Sequence, residues 1–482
     1  MNRAVHGSSP ALREAVMSAT VRETPDAVVI GLGPGGEDLA GRLADAGWDV
    51  VGVDERLVGG ECPYWGCIPS KIMVRSADLV GEARRIPGMA GIVRVHPEFR
   101  PVARRVREAT DDWNDKIAVD RLTSRGGRFL RGTARLTAPG EVTVLGADGR
   151  ETVLRPRQAI VLASGSEPVS PPVPGLAATP YWTNRDLIEA EELPESLLVL
   201  GGGAIGLELG QAWQRLGCAV TVVEAGPRLL GREEPEAGDL LTRVLTADGL
   251  AVHAGAEVQG VEHRDGRFQV LCRRGERFSA QRMLVATGRR VALDRIGGGV
   301  LGLSSDMRAI PVDERLRVVG TQGVWPVGVW AIGDITGKGA FTHMSMYQAD
   351  VAVRAILGQG GAPARYHAVP RVTFTDPEVG AVGVTEAQAR AEGRKVRTAT
   401  TDLSVSSRGY IYGANGNAGF VKLVAADDVL VGATSAGPNG GEVLGLLSLA
   451  VSARIPLAEL ASTIWAYPTF HRAVGTAVAE LA

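Results

Sequence analysis

Two stretches of this chain repeat one pattern of strand, glycine turn, helix, strand and acid. In the first, Ala27-Val28-Val29-Ile30 is a short apolar strand that runs into Gly31-Leu32-Gly33-Pro34-Gly35-Gly36. Leu39, Ala40, Leu43, Ala44 and Ala46 follow at helical spacing, Gly47 ends the helix, and a strand from Val50 to Val53 closes on Asp54. In the second, Leu197 to Leu200 leads into Gly201-Gly202-Gly203-Ala204-Ile205-Gly206, a helix from Leu207 to Leu216, and a strand from Ala219 to Val223 that closes on Glu224. Each acid stands 23 residues after the first glycine of its turn. One GxGxxG alone is weak evidence, but in this order the elements predict a dinucleotide-binding unit each time. Gly31 and Gly201 permit the tight turn, Gly33 and Gly203 the approach of backbone to a pyrophosphate, and Gly36 and Gly206 the packing of helix on sheet. Asp54 and Glu224 are placed to accept hydrogen bonds from a ribose. Two copies imply two dinucleotides, a flavin that stays and a nicotinamide that comes and goes.

Length and charge bound the rest. A chain of 482 residues holds about three domains and needs no crosslinks for stability. A formal charge of -2 argues against a nucleic-acid binder or a polybasic membrane anchor. No apolar run reaches the ~18 residues that span a bilayer; the best, Val443 to Val451, stops short and meets Arg454. Four cysteines in so long a chain are not a secreted disulfide framework. The expectation is a soluble, cytoplasmic protein with no membrane partner. Residues 1–24 lack the apolar core of a signal peptide and read as a disordered or flexible extension.

Ile160 to Gly165 and Met283 to Gly288 are both strands that end at a small residue and a glycine, and they bracket the second unit. That unit is therefore expected as an insertion, residues 166–290, within a first domain of residues 25–165 and 291–362. A further strand, Val329 to Ile332, leads to Gly333-Asp334, where an acid can hold a flavin's sugar-like side chain or simply cap a turn. From about Pro363 the pattern changes to antiparallel strands, Phe420 to Ala425 and Val429 to Val431 around Asp427-Asp428, with a helix from Glu442 to Ala453. The predicted fold class is α/β: two Rossmann-like dinucleotide-binding domains and a C-terminal α+β interface domain, residues 363–482.

The chemistry centres on Gly59 to Lys71, GGECPYWGCIPSK, with four residues between Cys62 and Cys67. Residues five apart in a regular helix lie about 7.5 Å apart along its axis, too far for a disulfide. The segment must leave ideal helix to close a bridge. Pro63 and Gly66 supply the means. Two buried structural cysteines are the alternative reading. Trp113 is expected in a helix beside this segment, and Cys218 and Cys272 read as small buried residues.

This segment resembles the active-site stretch of the pyridine nucleotide-disulfide oxidoreductases of the glutathione reductase, dihydrolipoamide dehydrogenase and mercuric reductase type. Ala331-Ile332-Gly333-Asp334, Ala286-Thr287-Gly288-Arg289 and Phe374-Thr375-Asp376-Pro377-Glu378 resemble further motifs of that family, in the same order. The resemblance covers residues 25 to 482. It implies FAD on the first unit, NAD(P)H on the second, and a homodimer whose C-terminal domain completes the partner's site. Cys67 is then similar to the cysteine beside the flavin and Cys62 to the one that exchanges with substrate. Lys71 and Glu208 match a lysine and glutamate that pair near the flavin N5; without the resemblance Lys71 reads as a surface lysine. Gly60, Ser164, Gly165 and Asp334 fall to the flavin and Gly288 to the nicotinamide. Glu224 favours NAD(H), since it would repel a 2′-phosphate.

The chain departs from the thiol-exchanging members at one place. They carry a His-Pro-Thr segment with a glutamate five residues after the histidine, a general base for the substrate thiol. Here Tyr467 stands for the histidine and Arg472 for the glutamate, and His471 is one residue off, a displaced base or a surface residue. Mercuric reductases resemble this chain in the tyrosine but carry a further C-terminal cysteine pair, whereas this chain ends Glu480-Leu481-Ala482 and has no CxxC. No resident metal site is expected. The reading is an NADH-dependent FAD disulfide oxidoreductase whose small-molecule acceptor is a disulfide, metal ion, quinone or other electrophile. A dihydrolipoamide dehydrogenase, a mercuric-reductase-like enzyme and a flavoprotein redox sensor are the alternatives.

Overall fold

The computed structural model describes residues 21–320, 324–414 and 416–482. Backbone contacts divide the chain into two units. The first holds residues up to Tyr64, Asp111–Glu167 and Arg290–Arg365; the second holds Trp65–Thr110, Pro168–Arg289 and Tyr366–Ala482. The helical stretch after Tyr64 thus clusters with Pro168–Arg289, which carries the second glycine turn, rather than with the first. The extension expected at residues 1–24 lies outside the described residues as far as residue 20, while Val21–Glu23 is a strand paired in parallel with Glu151–Leu154.

The first unit is built on an eight-stranded sheet in which Ala27–Ile30 lies between Val50–Asp54 and Ala159–Leu162, parallel to both. All four residues of this strand are buried. Ala27 and Val29 face the core formed with Leu39, Leu43 and Val353, and Val28 and Ile30 face the core with Leu136, Val144 and Ile335. Burial on both faces is why the strand reads as a continuous apolar run rather than an alternating one.

The second unit repeats the arrangement on a smaller scale. Its four parallel strands run in the order Ala251–Ala254, Ala219–Glu224, Ser196–Leu200, Arg282–Val285. The C-terminal part adds a five-stranded antiparallel sheet, with Phe420–Ala426 paired to Val429–Gly437 through the turn at Asp427 and Asp428. The helices Gly440–Ser452 and His471–Leu481 cover it through Val443, Leu447, Val474 and Val478.

An ion cluster around the buried Lys422 and Glu234 ties this sheet to the start of the helix Pro235–Ala247. Lys422 Nζ, on a strand of the C-terminal sheet, lies 3.0 Å from Glu234, 2.7 Å from Glu236 and 3.1 Å from Glu386. Burial opposes the ammonium charge, but hydrogen bonds to Glu236, Glu234 and Glu386 outweigh it and raise the pKa above the ordinary lysine value. A raised pKa stabilises the fold fully below the ordinary lysine value and is lost as pH climbs toward the shifted one. Lys422→Ala leaves Glu234 buried without its cation. It is expected to lower unfolding stability by about 3 kcal/mol, measured as the shift in denaturant midpoint at neutral pH.

Candidate active site

Both glycine turns are fixed by the same clashes. Gly31 has φ +93, and a Cβ there would lie 2.4 Å from the Ala163 carbonyl oxygen; Gly201 has φ +109, and its Cβ would lie 2.5 Å from that of Ala286. A Cβ on Gly36 would stand 2.1 Å from the Gly31 oxygen, and one on Gly206 2.4 Å from the Gly201 oxygen. The middle glycines are different. Gly33 and Gly203 open the helices Pro34–Asp45 and Ala204–Leu216, and a Cβ on either would meet nothing within 4 Å. Open space at the first turn of a helix of twelve or thirteen residues is where an anionic pyrophosphate gains from free N–H groups and the helix dipole. The residues present therefore fit a dinucleotide at each turn.

The two acids hold the turns themselves. Asp54 accepts from Leu32 N at 2.8 Å and from Arg56 N at 2.8 Å. Glu224 accepts from Gly202 N at 2.6 Å and from Gly226 N at 2.5 Å. Each acid thus pins the second residue of its own glycine turn, leaving lone pairs for a ligand. Burial pushes the Asp54 carboxyl above the usual carboxylate range, against the pull of those two amides.

The cysteine segment joins the first turn through backbone. Gly59 N donates to Leu32 O at 2.7 Å, and a Cβ on Gly60, at φ +67, would lie 2.8 Å from Gly33 Cα. Ser164 is exposed, and Gly165 has φ +70 just beyond the strand that carries Ala163. Asp334, half-buried in the turn Gly333–Thr336, accepts from Ser166 Oγ at 2.5 Å. Gln348, fully buried, accepts from Gly333 N at 2.6 Å. Sequence reasoning missed Gln348, because nothing in a helix sequence signals that a glutamine reaches back to a turn.

Cys62 lies in the short helix Glu61–Tyr64 and is half-buried; Cys67 opens the helix Cys67–Arg84 and is exposed. Gly66 breaks the helix between them at φ -122, ψ -117. Trp113 is not in an α-helix as expected. Asp111, Asp112 and Trp113 form a left-handed turn, with φ 50, 50 and 58, and the indole donates to Tyr64 O at 3.3 Å.

Lys71, one turn after Cys67, is not a bare surface lysine. Its Nζ lies 2.5 Å from Glu208 Oε2 and 4.6 Å from the centroid of the Phe374 ring. Glu208 is buried, and its other oxygen accepts from Phe374 N at 2.8 Å. The same helix face continues as Gln211, which exchanges hydrogen bonds with the Asp376 backbone, and Arg215, which pairs with Asp376, Asp78 and Asp248. Arg85 also pairs with Asp376. Gly288 has φ +140 beyond the strand Arg282–Val285. Tyr467 is exposed in the C-terminal part. Its hydroxyl lies 3.0 Å from Ser407 Oγ, and the Arg472 guanidinium lies 5.6 Å from its ring centroid. His471 is exposed at the first position of its helix. Cys218 and Cys272 are buried, and burial drives the Cys218 thiol up to about 12, so it is inert at neutral pH.

Residues 25–355 match the family model described as pyridine nucleotide-disulphide oxidoreductase, and residues 369–478 match its dimerisation domain. The chain belongs to this family. It is 32% identical to the mercuric reductase of Acidithiobacillus ferrooxidans, over 92% of this chain and 80% of that protein. It is also 32% identical to the dihydrolipoyl dehydrogenase of Thermus scotoductus, over 95% of this chain and 98% of that one. The copper(II) complex of the HOCl-induced flavoprotein disulfide reductase RclA from Escherichia coli superimposes with a TM-score of 0.82 at 25% identity, covering 95% of this chain and all of that one. LpdA from Mycobacterium tuberculosis gives a TM-score of 0.81 at 25% identity, covering 96% of this chain and all of that one.

As a pyridine nucleotide-disulphide oxidoreductase, the protein is an FAD-dependent enzyme that takes electrons from a pyridine nucleotide, and its fold is the family's α/β fold. The dimerisation-domain match supports a homodimer. Among the described residues, no helix is long and apolar enough to cross a membrane, and no group of three or more His, Cys, Asp or Glu is placed to hold a metal ion. The contrast between open and crowded glycines is testable. Gly203→Ala is expected to change the melting temperature little and to raise the nicotinamide KM about tenfold, whereas Gly206→Ala, forced against the Gly201 carbonyl, is expected to destabilise by about 2 kcal/mol. Melting curves and steady-state kinetics separate the two.

Proposed function

We propose that electrons pass from NADH, through FAD held by residues 25–165 and 291–362, to a disulfide between Cys62 and Cys67, and on to an acceptor that is not a plain thiol partner. Residues 166–290 bind the nicotinamide nucleotide, and residues 363–482 form the dimer interface. The observation that carries this reading is Lys71: one turn along the helix that Cys67 opens, and fixed by Glu208 at 2.5 Å. FAD, when bound, supplies two-electron transfer between the nicotinamide and the disulfide. Lys71 holds a positive charge at a defined atom, Glu208 and the Phe374 ring orient it, Cys67 takes the inner thiolate role, and Cys62 meets the acceptor.

NADH is the preferred donor in this reading. Glu224, held against its turn by two amides, would accept from ribose hydroxyls and repel a 2′-phosphate. Arg228, a nearby cation able to offset this, is turned to the Gly231 carbonyl at 3.2 Å. An efficiency with NADH at least about tenfold above that with NADPH is expected; equal efficiencies remove the argument from Glu224.

The acceptor follows from the C-terminal departure. Phenol hydroxyl and guanidinium are hydrogen-bond donors, so they donate and orient where imidazole and carboxylate would take a proton. A soft metal ion, a quinone or another electrophile fits this better than dihydrolipoamide or glutathione, and a mercuric reductase and a copper(II) complex stand among the similar proteins. Four cysteines in a chain of this length also favour a reducing, cytoplasmic setting.

Anaerobic reduction by NADH, followed by a screen of acceptors, tests the reading. A long-wavelength thiolate-to-flavin absorbance is expected in the wild type and absent in Cys67→Ser; a wild type without it sinks the electron path. The double variant Tyr467→His, Arg472→Glu restores the thiol enzymes' pair. It is expected to raise dihydrolipoamide turnover about 10²-fold, and no gain would locate the acceptor specificity elsewhere.

A further inference from the structure

We propose that Asn184, Arg185 and Glu189 clamp Trp65 and thereby set the redox poise of the Cys62–Cys67 pair, as positioning residues outside the nucleotide and cysteine motifs. The inference rests on the reading of that pair as redox-active. Its physical origin is a missing donor. If the helix of Cys67–Arg84 ran on toward its N-terminus, the Trp65 carbonyl would accept from the N–H of residue 69, which is Pro69 and has none. Asn184 Nδ2 supplies the donor instead, at 2.9 Å. The Trp65 indole donates to Glu189 Oε1 at 2.6 Å, and the Arg185 guanidinium lies 5.2 Å from the Trp65 ring centroid.

The clamp stands on a firm base. All three residues belong to the helix Asn184–Glu189, whose Thr183 forms a reciprocal capping box with Asp186 and whose Leu187 and Ile188 are buried. Just before it, Trp182 N donates to Met283 O at 2.7 Å and Trp182 O accepts from Val285 N at 2.8 Å. The helix is thus anchored to an edge strand of the nucleotide-binding sheet. Trp65 is the residue before Gly66, where the helix between the two cysteines breaks. Fixing Trp65 on three sides fixes that break, and with it the effective concentration of one thiol at the other.

Reduction cleaves the S–S bond and adds two electrons and two protons, giving two thiols; NADH supplies the electrons. A clamped break favours the disulfide, and a released one lets the thiols drift and favours the dithiol. Asn184→Asp keeps size and loses the donor, Trp65→Phe keeps an aromatic ring and loses the indole N–H, and Glu189→Gln keeps an acceptor. The full-length FAD-loaded enzymes are equilibrated in glutathione redox buffers, alkylated, and the Cys62–Cys67 dithiol fraction measured by mass spectrometry.

Asn184→Asp and Trp65→Phe are expected to shift the equilibrium about tenfold toward the dithiol, close to 30 mV for two electrons, with Glu189→Gln at the wild-type value. Should Asn184→Asp fail to fold by its melting curve, Trp65→Phe carries the test. Both variants titrating with the wild type overturns the clamp while leaving the redox pair intact. A wild type with no Cys62–Cys67 couple overturns the redox reading itself, and the clamp with it.

Discussion

One contact is made twice in this molecule, and both glycine turns depend on it: an acid at the end of a strand accepts from the second residue of the turn. Asp54 does this for Leu32 and Glu224 for Gly202. The carboxylate draws the turn against the adjacent strand, where the first glycine already lies on the carbonyl of Ala163 or Ala286. Only a residue without Cβ survives that approach at positive φ. The middle glycine is left facing open space, and the helix behind it presents its free amides there. Steric crowding on one side of the turn is what creates the opening on the other.

The reactive segment takes its position from the same source. Gly59 and Gly60 bind it to the first turn, so one end of the cysteine stretch is held by the same backbone that leaves open space at Gly33. Beyond Gly66, polar side chains on one face of the helix Ala204–Leu216 take over. Glu208 fixes Lys71, Gln211 fixes the backbone of Asp376, and Arg215 gathers Asp78, Asp248 and Asp376. A buried guanidinium with three carboxylates is expensive to desolvate but strongly directional once paired. Burial accordingly pushes the Asp78 carboxyl above its usual range and the Arg85 guanidinium below its own. The helix Ala204–Leu216 thus follows the second glycine turn and, through Glu208, also holds Lys71 on the helix that Cys67 opens.

The C-terminal part answers to a different demand. Where thiol enzymes of the family carry an imidazole and a carboxylate, this chain sets a phenol against Ser407 with a guanidinium over its ring. Those groups place a hydroxyl and a guanidinium with its N–H donors at that position.

Legible in the sequence were the two successions of strand, glycine turn, helix and strand, the strands Ala159–Leu162 and Arg282–Val285, the antiparallel C-terminal strands and the cysteine segment. Each of these is written in local periodicity, in glycine spacing or in a contiguous motif, and strands such as Ala27–Ile30 and Phe420–Ala426 fall where the apolar runs place them. The tertiary structure decided what no local pattern encodes. Trp113 left the expected helix for a left-handed turn that delivers its indole to Tyr64, and Trp65 is met by a helix more than a hundred positions away. Gln348 closes on Gly333, and the Phe374 ring joins Glu208 in holding Lys71, a pair that only the resemblance, and no local pattern, had indicated. A hydrogen bond between distant residues costs chain entropy that only the assembled core offsets. Its partners therefore become visible when the core exists, and not before.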